Sequence, residues 1–177
     1  GLVAAIEEAK ISRSHYDSLK SRIDYANKVV GWWDGEPCKA TTLANLKVAI
    51  EESNAKLVDY SLTVGGIDAA ITALNTKISA VDKKIYCSGS ACGSDEKLKN
   101  PNSLFSYERS LQSKHWVVFW ESGYGLRVPN GVENILKTAD EVFELYADKL
   151  GFLTINQGKS KTDDYKMIIR LRYKDEW

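Results

Sequence analysis

Two histidines, three cysteines and five tryptophans carry most of the reactive and ligand-stacking chemistry in this sequence. Neither histidine belongs to a His-Glu-x-x-His helix, and no Gly-x-Ser-x-Gly elbow or phosphate loop is present. A zinc hydrolase needs three protein ligands and an activated water. No such set is legible here, so the sequence assigns no catalytic residue, no metal ligand and no cofactor. Gly123-Tyr124-Gly125 lacks the third glycine that opens the helix of a dinucleotide fingerprint. His15 reads as a solvent-exposed residue in a helix's first turn. His115 reads as a satisfied histidine at the start of an apolar strand.

Glu121 ends that strand, and ligands of parallel sheets gather at such an edge. It is therefore a candidate ligand-binding residue, although a glutamate ending a strand is usually only solvated. Trp32, Trp33, Trp120 and Tyr124 are the other candidates, with Trp177 beside them. Exposed aromatic rings stack on sugars and anchor partner proteins. The alternative for Trp32-Trp33 is a loop tucked over the end of a helical bundle, because an exposed pair invites aggregation. Cys87-Ser-Gly-Ser-Ala-Cys92 closes either as a local disulfide, worth roughly 2 kcal/mol by chain entropy, or stays as two surface thiols. Cys38 is left over. The short cysteine loop leans toward an exported protein.

These residues need elements to hold them. From Ser14 onward, Tyr16, Leu19, Ile23, Ala26 and Val30 recur at steps of three and four, with Ser14 and Asp17 resembling a capping arrangement. Leu2, Val3, Ile6 and Ala9 read as a separate short helix, broken around Ile11–Arg13. Gly31 to Pro37 interrupts the pattern. A second helix starts at Thr41 or Thr42, with Leu43, Leu46, Ile50, Ser53 and Leu57 on one stripe. The third stripe follows Thr63: Val64, Ile67, Ile71, Leu74, Ile78, Val81 and Ile85. Such 3-4 spacing signals knobs-into-holes packing, and three or four antiparallel helices would bury it.

From Cys87 to Asn102 the composition turns to Gly, Ser, Lys, Asn and Pro, which places a linker there. Ser103–Lys114 is ambiguous between an extended entry and a helical turn. His115–Trp120 is aromatic and β-branched, as in a strand buried on both faces. Pro129-Asn130 precedes an amphipathic helix carrying Val132, Ile135, Leu136, Ala139, Val142, Phe143, Tyr146 and Leu150, with Gly151 as its C-terminal cap. Tyr165–Tyr173 alternates, apolar on one face and mostly basic on the other, as in a half-buried strand. A parallel, right-handed β-α-β unit follows. The expected class is α+β: a coiled-coil-like bundle over 1–86, a linker over 87–102 and a β-α-β segment over 103–177. A two-stranded sheet with one helix is marginal alone, so that segment reads as an incomplete domain. Its last strand would be an edge open to pairing with another copy.

Lys+Arg and Asp+Glu number 24 each, and residues 1–86 hold 11 of each sign. Neither half offers the basic face that phosphate binding requires, which argues against nucleic acid. No run of about 18 apolar residues suits a membrane span. The missing initiator Met suggests a removed leader, so the absence of a signal peptide says little about location; with the short cysteine loop, the expected location is secreted, periplasmic or cell-surface.

Two resemblances add to this. The stretch Leu2-Val3-Ala4-Ala5-Ile6-Glu7-Glu8-Ala9, Tyr16-Asp17-Ser18-Leu19, Ile23-Asp24-Tyr25-Ala26, Val29-Val30, Ala40-Thr41-Thr42 and Leu46-Lys47-Val48-Ala49-Ile50 resembles the FIVAR or GA-like helical modules of bacterial surface proteins. The segments Ser113–Glu121, Phe143–Phe152 and Tyr165–Tyr173, through Glu176-Trp177, resemble the start of a secreted, metallopeptidase-like family of unknown function common in Bacteroidetes. In that family the zinc motif lies further along, so the resemblance implies a chain truncated before its metal site and carries no ligand onto any residue here. The expected function is a non-catalytic portion of a secreted or surface protein, with a helical interaction or spacer module meeting a host or cell-surface protein or glycan. The alternatives are a fragment of a zinc-dependent hydrolase completed beyond Trp177, and a carbohydrate-binding module.

Overall fold

Leu19, Ile23, Ala26 and Val29 are buried on a single long helix, α1 (Leu2–Trp33). The computed structural model describes residues 2–85, 95–152 and 161–173. The break expected around Ile11–Arg13 is absent, and His15 lies in mid-helix rather than in a first turn. Nothing in Ile11–Arg13 is a glycine or proline, and the Ser14 hydroxyl donates to the Ile11 carbonyl (2.7 Å) within the helix instead of capping one. After Gly35, whose φ of 85° suits a residue without Cβ, a 3-10 turn at Pro37–Lys39 leads into α2 (Ala40–Leu57). The helix α3 (Val64–Val81) starts at Thr63, whose side chain accepts from the Gly66 N–H (3.2 Å).

The partners of α1 and α3 advance together along both helices: His15 with Asp68, Arg22 with Asn75, Tyr25 with Asp82. Those two helices therefore run parallel, and α2 returns between them. Leu43, Leu46, Ile50, Ile67, Leu74, Ile78 and Val81 complete the seam with the α1 residues. At about 1.5–3 kcal/mol for each fully buried aliphatic side chain, this seam is the bundle's main source of stability. Ser53 is buried within it. Ile85 does not continue the third stripe. Asp82 takes extended backbone and ends α3, and the chain leaves the bundle there.

The chain divides into two compact units, Gly1–Asp82 and Lys83–Trp177. The second unit holds a four-stranded mixed sheet in the order β1-β4-β3-β2. Its strands are β1 (Lys84–Ile85), β2 (Ser110–Gln112), β3 (Trp116–Trp120) and β4 (Tyr165–Leu171). The ambiguous Ser103–Lys114 stretch resolves into a 3-10 turn at Tyr107–Arg109 followed by β2, antiparallel to β3. β3 and β4 are parallel, with Val118 opposite Ile169. Between them runs α5 (Val132–Glu144), which passes into a π-helical turn at Leu145–Lys149 and ends at Gly151 with φ 65°. A short helix, α4 (Asp95–Lys99), precedes the 3-10 turn. The α+β class holds.

The β3 strand is buried on both faces, as its composition implied. Val118 and Trp120 pack with Leu136 and Val132 of α5, while Val117 and Phe119 face Leu98, Phe105 and Tyr107. Two expectations for β4 need correction. At Tyr165 and Lys166 it is not an unpaired edge, since both pair with β1 on the side away from β3. Nor is its basic face wholly solvated: Lys166 is only 2 % exposed, because the sheet is covered on both sides, while Arg172 is exposed. Cys87, Cys92 and Trp177 lie outside the described residues.

Candidate functional site

The most unusual chemistry sits where β1, β3, β4 and α5 meet. Lys83 leaves the end of α3 and enters the second unit, His115 stands just before β3, and Lys166 is the second residue of β4. All three are buried. The Lys83 ammonium approaches His115 Nδ1 at 3.0 Å and donates to the Thr162 carbonyl. An ammonium has only donors, so Nδ1 is the acceptor and the imidazole proton resides on Nε2. Lys166 donates to the Ser113 carbonyl at 2.8 Å. The His115 ring stacks on Phe143 of α5 at 4.0 Å between centroids. Lys83 Nζ lies 5.3 Å from the same ring's centre, within cation–π range.

The main chain locks this cluster in place. The His115 N–H donates to Asp140 Oδ1 (3.1 Å), and its carbonyl accepts from the Met167 N–H (2.9 Å). Burial first, then the charges of Lys83, Lys114 and Lys166, push the His115 imidazole down to about 3. It is therefore neutral at physiological pH. A neutral imidazole can accept or relay a proton. Here, however, one nitrogen is occupied by Lys83 and the ring face by Phe143.

Glu121, the candidate at the C-terminal end of the parallel strands, is buried and acts as a clamp. One carboxylate oxygen accepts from the Tyr173 N–H (2.9 Å), and the other meets the Arg172 guanidinium. Tyr124 closes the same corner: its hydroxyl donates to the Arg172 carbonyl (2.9 Å) and its ring meets Tyr173 edge-on at 5.1 Å. Gly123 lies under the Tyr173 ring so closely that a Cβ would fall 2.5 Å from it. Trp120 is 1 % exposed, and its indole N–H donates to the Gly125 carbonyl (3.0 Å). It leaves no ring face open for a sugar.

Trp32 and Trp33 belong to the last turn of α1, not to a loop. Trp33 is buried in the bundle seam, with Lys39 Nζ 5.2 Å from its ring. Trp32 is half-buried and meets Tyr25 edge-on at 5.9 Å. The structure thus brings Trp120, Glu121 and Tyr124 together at one strand end, and places the Trp32-Trp33 pair in the other unit. Cys38 is exposed. His15, half-buried, bridges α1 and α3 through Asp68 at 2.6 Å.

Sequence reasoning missed Lys83, Lys166 and Arg109. The buried Arg109 guanidinium donates to the carbonyls of Pro101 (2.8 Å), Ser103 and Leu104, holding the segment that leads to β2. Among the described residues no group of three or more His, Cys, Asp or Glu side chains is arranged to hold a metal ion. No described helix is long and apolar enough to cross a membrane.

A profile described as "Family of unknown function (DUF6055)" matches residues 77–177, from the last turns of α3 through the second unit. No curated protein and no solved structure matches the chain.

Proposed function

Because the chain belongs to this family of unknown function, no activity passes to it by kinship, and we propose that it is a non-catalytic portion of a secreted or cell-surface protein, the first part from its geometry and the location from the short cysteine loop of its sequence. The bundle serves as an interaction or spacer module, and the second unit is a structural platform joined to it. One observation carries this reading. The buried charged side chains are committed to main-chain atoms: Lys83 to Thr162, Arg109 to Pro101, Ser103 and Leu104, Glu121 to Tyr173, and Lys166 to Ser113. Catalytic groups must reach a substrate, within hydrogen-bond distance or through one water. Groups already engaged with buried carbonyls and N–H groups hold loops in place instead.

The neutral charge balance and the seam of the bundle fit the same reading. A three-helix unit with a closed core presents side chains from a rigid frame and needs no cofactor to fold. The test is a zinc titration by calorimetry on the whole chain, paired with a panel of chromogenic peptide, ester and glycoside substrates. The expected result is neither stoichiometric metal binding nor turnover. Tight one-to-one zinc uptake, or hydrolysis lost on chelation, would overturn the proposal.

A further inference from the structure

The α5 helix carries more apolar surface than its own sheet covers. Its inward line is Val132, Leu136, Phe143 and Ala147, all buried. A second line, Ile135, Ala139, Val142 and Tyr146, runs beside it at steps of four, three and four, the spacing of one helical stripe. This second line is open: Ile135 is 38 % exposed, Val142 45 % and Tyr146 45 %, with Leu145 beside it at 42 %. Phe152, in ring contact with Tyr146 at 5.8 Å, is 72 % exposed. Trp116 walls one side, and the groove between has a volume of about 520 Å³.

We infer that this stripe is the interface of a homodimer, in which α5 packs antiparallel against α5 of a second copy. Three features point to a second copy. The first is area. Large apolar side chains present about 150–250 Å² when fully open, so the fractions left exposed here amount to roughly 500 Å² of apolar surface. A patch of that size lies in the upper part of the range a single chain exposes, where such patches are often functional. A standard interface takes about 800 Å² from each partner, of which roughly 500 Å² is apolar. The second is charge. Asn134, Ile135, Thr138, Ala139, Val142, Leu145 and Tyr146 form a band without a charged residue, and interface centres are depleted of charge in this way. The third is closure. A two-fold axis crossing α5 sets the stripe against itself in an antiparallel pair, so the contact is complete at two copies and leaves no open end.

Sedimentation equilibrium of the whole chain tests this, with the double variant Ile135→Lys/Val142→Lys alongside and thermal unfolding followed for both. The expected result is a wild-type dimer and a folded, monomeric variant whose unfolding temperature matches that of wild type diluted until it dissociates, since association itself raises the midpoint. A wild-type monomer up to its solubility limit overturns the proposal. So does a dimer that persists in the folded variant, which would place the contact elsewhere, or an open-ended series of larger species. If the variant unfolds early, Thr138→Lys, on the same band, is read in its place by the same criteria.

Discussion

Lowering the pH should loosen the second unit through His115. In the folded chain this imidazole is held neutral, pushed down to about 3 by burial and by Lys83, Lys114 and Lys166. In the unfolded chain it returns to about 6.5. Below pH 6.5 the unfolded state therefore binds a proton that the folded state refuses. Stability is full above that point and falls as pH drops towards 3, by about 1.4 kcal/mol per pH unit. By pH 4.5 the loss is roughly 3 kcal/mol, and roughly 5 kcal/mol is the ceiling once the folded state also titrates. Against a typical stability of about 5–15 kcal/mol this is a large fraction.

The assay is urea unfolding of the whole chain between pH 7.5 and 4.5, with a non-titrating variant run in parallel to separate the histidine from the carboxylates that begin to protonate at the acid end. His115→Asn is the control. Its amide oxygen can take the place of Nδ1 as acceptor for Lys83, yet it does not titrate. The substitution removes the stack on Phe143 and lowers stability at every pH, so the informative quantity is the slope. Wild type should lose about 1.4 kcal/mol per unit below pH 6.5, and the variant should lose close to none through this site. Parallel profiles for the two chains would refute the reasoning, because the acid sensitivity would then come from other groups.

Further expectations concern single contacts. Gly123→Ala drives a Cβ into the Tyr173 ring and should cost about 1–3 kcal/mol by overpacking, read as a lowered midpoint in thermal unfolding. Glu121→Ala removes the acceptor for the Tyr173 N–H and the partner of Arg172. Faster hydrogen exchange at the Tyr173 amide should result, with about 1–3 kcal/mol of destabilisation. Leu74→Ala opens a cavity in a seam where Leu74 is buried, for about 2–5 kcal/mol, followed by circular dichroism at the helix band.

The helical seam was legible because buried apolar residues on a helix must repeat at 3.6, and Ile67, Leu74, Ile78 and Val81 do so without interruption. Its ends were less legible. Ile85 fits the same spacing, but periodicity alone does not register that Asp82 turns the backbone extended and sends Ile85 into a sheet. In sequence the long α1 looks like two helices because Ser14 resembles a cap. A serine hydroxyl bonds equally well to the carbonyl three residues back, as it does here with Ile11. The β2 strand is only three residues long and has too few positions to show an alternation.

The residues of the buried cluster were illegible for a different reason. Alternation sorts a strand into an apolar inside and a polar outside, which assumes that one face meets water. The β4 strand is packed on both faces, so its polar positions are inside as well, and Lys166 is more buried than any of the tyrosine, methionine, isoleucine or leucine residues assigned to the strand's apolar face. Burying an ammonium is tolerable only where it can donate its protons. The carbonyls of Thr162 and Ser113 accept them, and for Lys83 so does the lone pair of a histidine kept neutral. That requirement makes the three groups interdependent. His115 must stay unprotonated because lysines surround it, and Lys83 needs His115 unprotonated as an acceptor. Protonating the ring therefore removes an acceptor and adds a third positive charge in one step, and for that reason the pH slope tests the packing of the whole second unit.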